Sequence, residues 1–134
     1  MKRILSLAIA LIALFGFNVA SAQNPHFVQG PCVNASGQVS GKIAGLGNNQ
    51  DITITINGTA ECAQKNNGDH VVNDFSKTFR ARTDKNGNYN LSTDLRPCPG
   101  GFNLVSAQSA TVCVYSGTTA SGTPLFCATT SPCN

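Results

Sequence analysis

The chain contains no tryptophan and only two tyrosines. Sandwiches that bind sugars usually present flat aromatic rings, so this scarcity weighs against a dedicated aromatic sugar platform. Charge is also sparse: 11% of residues are Asp, Glu, Lys or Arg. Once Lys2 and Arg3 are set aside with the leader described below, seven basic residues face six acidic ones. A near-neutral domain has no electrostatic case for nucleic acid or an anionic membrane. There is no C-x-x-C pair, and His26 and His70 have no ligand spacing between them, which excludes the usual zinc patterns. No cofactor and no metal site are expected. Beyond the leader there is no helical apolar period, no run long enough to span a bilayer and no repeat of fixed length.

What is present begins with that leader. Lys2 and Arg3 precede an apolar run, Ile4 to Phe17, and Val19-Ala20-Ser21-Ala22 offers small residues for cleavage before Gln23. This is the pattern of a secretory signal peptide over 1–22. It leaves 23–134 as a single domain, expected outside the cell or in a periplasm, with no membrane span of its own.

Six cysteines fall in that domain: Cys32, Cys62, Cys98, Cys113, Cys127 and Cys133. An even count in an exported chain implies three disulfides. Six cysteines permit 15 pairings, and sequence leaves the choice open. The favoured set closes a hairpin with Cys113–Cys127, joins loops at one end with Cys62–Cys98, and ties the termini with Cys32–Cys133.

Alternation of apolar and polar residues supplies the strands. Ile52, Ile54 and Ile56 point one way from Asp51–Ala60, and Thr53 and Thr55 the other. Phe75, Lys77, Phe79 and Ala81 share one side of an extended chain, and Ser76, Thr78, Arg80 and Arg82 share the opposite side. Asp84–Asn88 is turn chemistry centred on Asn86-Gly87, so Phe75–Ser92 reads as a hairpin. Further strands are expected over Gln38–Leu46, Phe102–Val105, Ala110–Ser116 and Thr123–Thr129. Gln23–Ser36 reads as an irregular lead-in, Cys62–Asn73 as a polar loop and Asp94–Gly101 as a rigid one. About seven short strands with regular turn signals predict an all-β, two-sheet antiparallel sandwich.

Val39-Ser-Gly-Lys-Ile43, Ile52-Thr-Ile-Thr-Ile56, Thr83-Asp-Lys-Asn-Gly-Asn-Tyr89 and Pro99-Gly-Gly-Phe102 together resemble the prealbumin-like (transthyretin-like) sandwich. The carboxypeptidase regulatory-like and Ole e 1-like domains share that layout. The likeness spans roughly Val39 to Val114. It implies a fold used for spacers, adhesin stalks and binding modules. The Cys62–Asn73 insertion and the added cysteines depart from the pattern.

Four features invite chemistry. Asp84-Lys85-Asn86-Gly87-Asn88 spaces oxygen side chains as calcium loops do, but no glutamate closes it, and an Asp-led turn accounts for the same residues. His70 lies beside Asp69 and near Asp74, with Ser76 and Ser92 as the available hydroxyls, and reads as an exposed loop histidine. Arg80 and Arg82, with Lys77 close in sequence, form a candidate basic face for an acidic glycan or a phosphate-bearing partner, or else a solvated strand face. Asn34-Ala-Ser36, Asn57-Gly-Thr59 and Asn90-Leu-Ser92 are glycosylation acceptors in a eukaryotic source and turns otherwise. The expected role is a non-catalytic structural or binding module with a protein or glycan partner. Self-association through a strand edge is open to it. A small secreted hydrolase, a soluble inhibitor and a self-assembling surface subunit are the alternatives.

Overall fold

The computed structural model describes residues 24–133. The expected leader, 1–22, lies outside the described residues. The described chain is all-β, with strands β1 (His26–Val33), β2 (Gln38–Ala44), β3 (Asp51–Gln64), β4 (His70–Arg82), β5 (Tyr89–Asp94), β6 (Phe102–Ser116), β7 (Phe126–Thr129) and β8 (Ser131–Pro132). They form two four-stranded sheets, ordered β5-β2-β1-β8 and β4-β3-β6-β7. This is the two-sheet sandwich that the alternation predicts. It is not wholly antiparallel, because β8 runs parallel to β1 through Cys32↔Ser131 and Val33↔Pro132.

The core lies between the sheets. Ile52, Ile54, Ile56, Val112 and Val114 face Val39, Ile43 and Leu91, and each is at most 2% exposed. Each such side chain contributes roughly 1.5–3 kcal/mol of burial. Phe27 of β1 meets Phe126 of β7 edge to face, ring centres 5.5 Å apart, and closes one side. Gly58 of β3 lies opposite Ala110 of β6. A Cβ there would run into the Ser109 carbonyl and the Phe75 ring, so the strand crossing requires glycine.

Three disulfides weld this arrangement. Cys113–Cys127 joins directly opposed residues of β6 and β7. Cys62–Cys98 ties β3 to the loop after β5, and Cys32–Cys133 ties β1 to the chain's last residues. The favoured pairing is the one formed.

Several expectations need correction. Phe75–Ser92 is not a hairpin: β4 pairs with β3 in one sheet, and β5 pairs with β2 in the other. The connection 83–88 is an arch that crosses between the sheets. It rests on the similar β2–β3 crossover, with Leu46 N donating to Gly87 O and Thr83 Oγ1 to Gly47 O. The 23–36 lead-in contains strand β1, whose alternation is broken by two irregularities of register around Gln29. The 62–73 loop is mostly strand, since β3 continues to Gln64 and β4 begins at His70, leaving a turn over 65–69. Phe102–Val105 and Ala110–Ser116 belong to one strand, β6, twice bulged against β3. The last expected strand is shorter, beginning at Phe126.

Candidate functional site

The outer face of the β4-β3-β6-β7 sheet is the most organised polar surface of the described residues. β3 is central, so its register with β4 and β6 lines up side chains in rows across the sheet. Arg80, Thr53 and Tyr115 form one row. Thr78, Thr55, Cys113 and Cys127 form the next, and Ser76, Asn57, Thr111 and Thr129 the third. The inward isoleucines of β3 force this outcome, because a period of two sends every intervening residue outward. Rows of this kind stand about 4.8 Å apart across strands and about 7 Å along them.

The middle of this face is stiff. Thr53 and Thr55 are buried between flanking strands, at 2% and 9% exposure. Thr53 Oγ1 donates to Gly117 O at 2.9 Å, which fixes its rotamer. The Cys113–Cys127 bridge locks the β6–β7 side. Around this centre Ser76, Thr78, Arg80, Asn57, Thr111 and Thr129 stand exposed. The surface presents hydroxyl, amide and guanidinium groups in rows set by the strand register, suited to hydrogen bonding.

The expected basic face does not assemble as a unit. Arg80 and Arg82 do share the outer side of β4. Arg82 Nη1 is paired with Asp51 Oδ1 at 3.1 Å, an ion pair at the strand end with both side chains more than half exposed. Lys77 lies on the opposite side, between Phe75 and Phe79, and its Nζ donates to the Asp94 carbonyl at 2.7 Å. The odd-numbered residues of β4 face the other sheet, and Lys77 is one of them. Of the two arginines on this face, Arg80 has no ion-pair partner among the described residues.

His70 opens β4, exposed, and its Nδ1 lies 2.6 Å from Glu61 Oε1 on the neighbouring strand. Sequence proximity pointed to Asp69 and Asp74, whereas the strand pairing brings in Glu61. Ser76 is six residues further along β4, and Ser92 Oγ on the other sheet accepts from Gln38 Nε2. Nothing brings either hydroxyl to the imidazole.

Asp84 serves the arch. Its Oδ1 accepts from the backbone N–H of Asn86 at 2.8 Å and of Asn88 at 2.9 Å. Gly87 takes the positive φ of 79° that this turn needs. The same logic organises Asn34, whose Oδ1 accepts from Ser36 N and Gln38 N. The bonds from Asn88 and Asn86 hold the Asp84 carboxyl below the ordinary value of 3.8. The folded state therefore prefers the ionised form. Asp84 stabilises the arch fully above the ordinary carboxylate value, and that contribution disappears as pH falls below 3.8 through the lower folded value. The expected result is that wild type and Asp84→Ala differ in melting temperature at neutral pH and converge toward pH 2. A gap that persists unchanged at low pH would refute this role.

A shallow cleft of about 320 Å³ lies where β1, β6 and the tail meet, lined by Val33, Ala35, Val105, Ala107 and Pro132 among others. It brings no titratable side chain to its walls, so it offers shape without acid–base chemistry. No protein-family model, no curated protein and no solved structure matches this chain.

Proposed function

We propose that this protein is a non-catalytic extracellular binding module that engages a protein or glycan partner through the outer face of β4-β3-β6-β7. The observation that carries the reading is the alignment of Thr, Ser, Asn and Arg side chains in rows on that face. A partner rich in hydroxyls can meet such rows with many hydrogen bonds, and the paired strands beneath spare binding the cost of ordering the backbone. The signal-peptide pattern at 1–22 and the three disulfides, a feature typical of oxidising compartments, support export. The prealbumin-like resemblance supports a spacer or binding role in the same way. A hydrolase is the weaker reading, because His70 is engaged with Glu61 and has no hydroxyl beside it.

The test uses the oxidised domain on arrays of neutral and acidic glycans, with a parallel pull-down from the protein's own extracellular medium. Asn57, Thr78 and Arg80 are exposed, so changing all three to Ala leaves the fold intact. The triple variant should lose at least about tenfold in affinity, or about 1.4 kcal/mol. Undiminished binding by that variant, or no partner in either screen, would overturn the proposal.

A further inference from the structure

β4 is the outermost strand of its sheet and pairs with β3 in unbroken register from Asp51↔Arg82 to Ala63↔His70. Among the described residues, its 13 residues have no strand partner on their other side. A long, regular edge is a template for pairing with another chain. The remaining edges are less hazardous: β5 has six residues, β7 four and β8 two. The stretch of β6 beyond the end of β7 is bulged twice, which twists it away from a regular ladder. Among the described residues no strand covers β4, and Val71 and Val72 at its start are 43% and 65% exposed.

We propose that Lys77 is an edge guard, whose inward-pointing ammonium closes β4 to strand addition by a second copy of this chain. Lys77 lies midway along the strand on the side that faces the other sheet, flanked by Phe75 and Phe79. Its Nζ crosses the gap between the sheets to the Asp94 carbonyl at 2.7 Å and lies 6.0 Å from the Phe79 ring centre. β5 is the outer strand of the facing sheet, so this side of the sandwich is open along both layers. A strand added to β4 would roof that opening and strip water from the ammonium. A single carbonyl does not compensate a buried cation. Arg80 and Arg82, on the outer face, do not enter the gap and cannot perform this task. The unusual lysine between two phenylalanines is thereby explained by what it prevents. This also accounts for its failure to join the outer-face cations.

The experiment compares oxidised wild type with Lys77→Val, Lys77→Gln and Lys77→Arg. Each is checked for native near-ultraviolet dichroism and for three intact disulfides. Light scattering across micromolar to millimolar concentrations then reads association, and thioflavin fluorescence reads fibre formation. Wild type and Lys77→Arg should remain monomeric. Lys77→Val and Lys77→Gln should associate with an apparent Kd at least about tenfold tighter. If the valine variant does not fold, the Gln and Arg pair still decides, since the two differ in charge and both can donate to Asp94. Monomeric Gln and Val variants would overturn the proposal, and so would association of wild type or of the Arg variant through β4.

Discussion

Full reduction of the disulfides is expected to abolish cooperative thermal unfolding, leaving a chain without a defined melt at room temperature. The sequence separations are 101, 36 and 14 residues for Cys32–Cys133, Cys62–Cys98 and Cys113–Cys127. Loop-closure entropy assigns these about 4.7, 3.8 and 3 kcal/mol. Their total is an upper bound, because the two smaller loops lie inside the largest. Even so it rivals the roughly 5–15 kcal/mol that a domain of this size has in all. The strands alone cannot offset such a loss, since the first sheet is built from β1, β2, β5 and the two-residue β8, which depends on the Cys133 anchor for its place beside β1. Paired Cys→Ser variants should rank by loop length, with Cys113–Cys127 the mildest. Its two strands remain hydrogen-bonded on both flanks of the bridge. Circular dichroism melts with and without reductant, with thiols counted by alkylation, check this. An unchanged melt in protein shown to carry six free thiols would refute it.

Ile54→Ala should produce the largest loss of any single core truncation, about 2–5 kcal/mol. Ile54 is fully buried at the centre of β3, flanked by Phe79 on β4 and Val114 on β6. Both sheets converge there, and the long registers on either side resist collapse into the cavity. For a domain near 110 residues the melting temperature should fall by about 10 °C or more. Urea unfolding should show a lower midpoint at an unchanged slope, which separates stability from a change of compactness. Thr78→Ala, exposed on the same sheet, should move stability by no more than about 0.5 kcal/mol. A loss below about 1 kcal/mol for Ile54→Ala would mean that the core does not sit where the two sheets meet.

The readable parts of the fold were those where one face is buried and the ladder is regular. β3 and β4 satisfy both conditions, so their alternation gave the inward and outward faces residue by residue. β1 and β6 were obscured by bulges, which insert residues and invert the parity on which alternation depends. The strand ends at 62–64 and 70–73 read as loop in the sequence because the stretch between them is polar and turn-rich around Asn67-Gly68. There the hydrogen-bond ladder and the Cys62–Cys98 bridge hold the strands, and neither registers as apolar periodicity. The arch at 83–88 resembles a hairpin in sequence for a different reason. Asp84, Asn86 and Gly87 satisfy the same local bonds whether the chain returns to its own sheet or crosses to the other. Only the partners of β5, on β2, distinguish the two, and those are set by contacts more than 40 residues away.

The candidate face was legible in the same uneven way. The outward direction of Thr53, Thr55, Thr78 and Arg80 followed from alternation. Their assembly into rows with Tyr115, Thr111 and Thr129 depends on the β3–β6 register, which the glycine contact at Gly58 and the bulges set. The contact of Arg82 with Asp51 rests on the pairing of the two strand ends, 31 residues apart.

The whole account depends on β4 and β5 lying in different sheets, so that β4-β3-β6-β7 presents one welded outer face. Cross-strand backbone nuclear Overhauser contacts in the native, oxidised protein test this most directly. The expected result is β5 paired with β2, Ser92 opposite Ser40 and Tyr89 opposite Ile43, and β4 paired with β3, Arg80 opposite Thr53. Contacts that pair β4 with β5 across the 83–88 turn, as a hairpin would give, would contradict the sheet order and the face built on it.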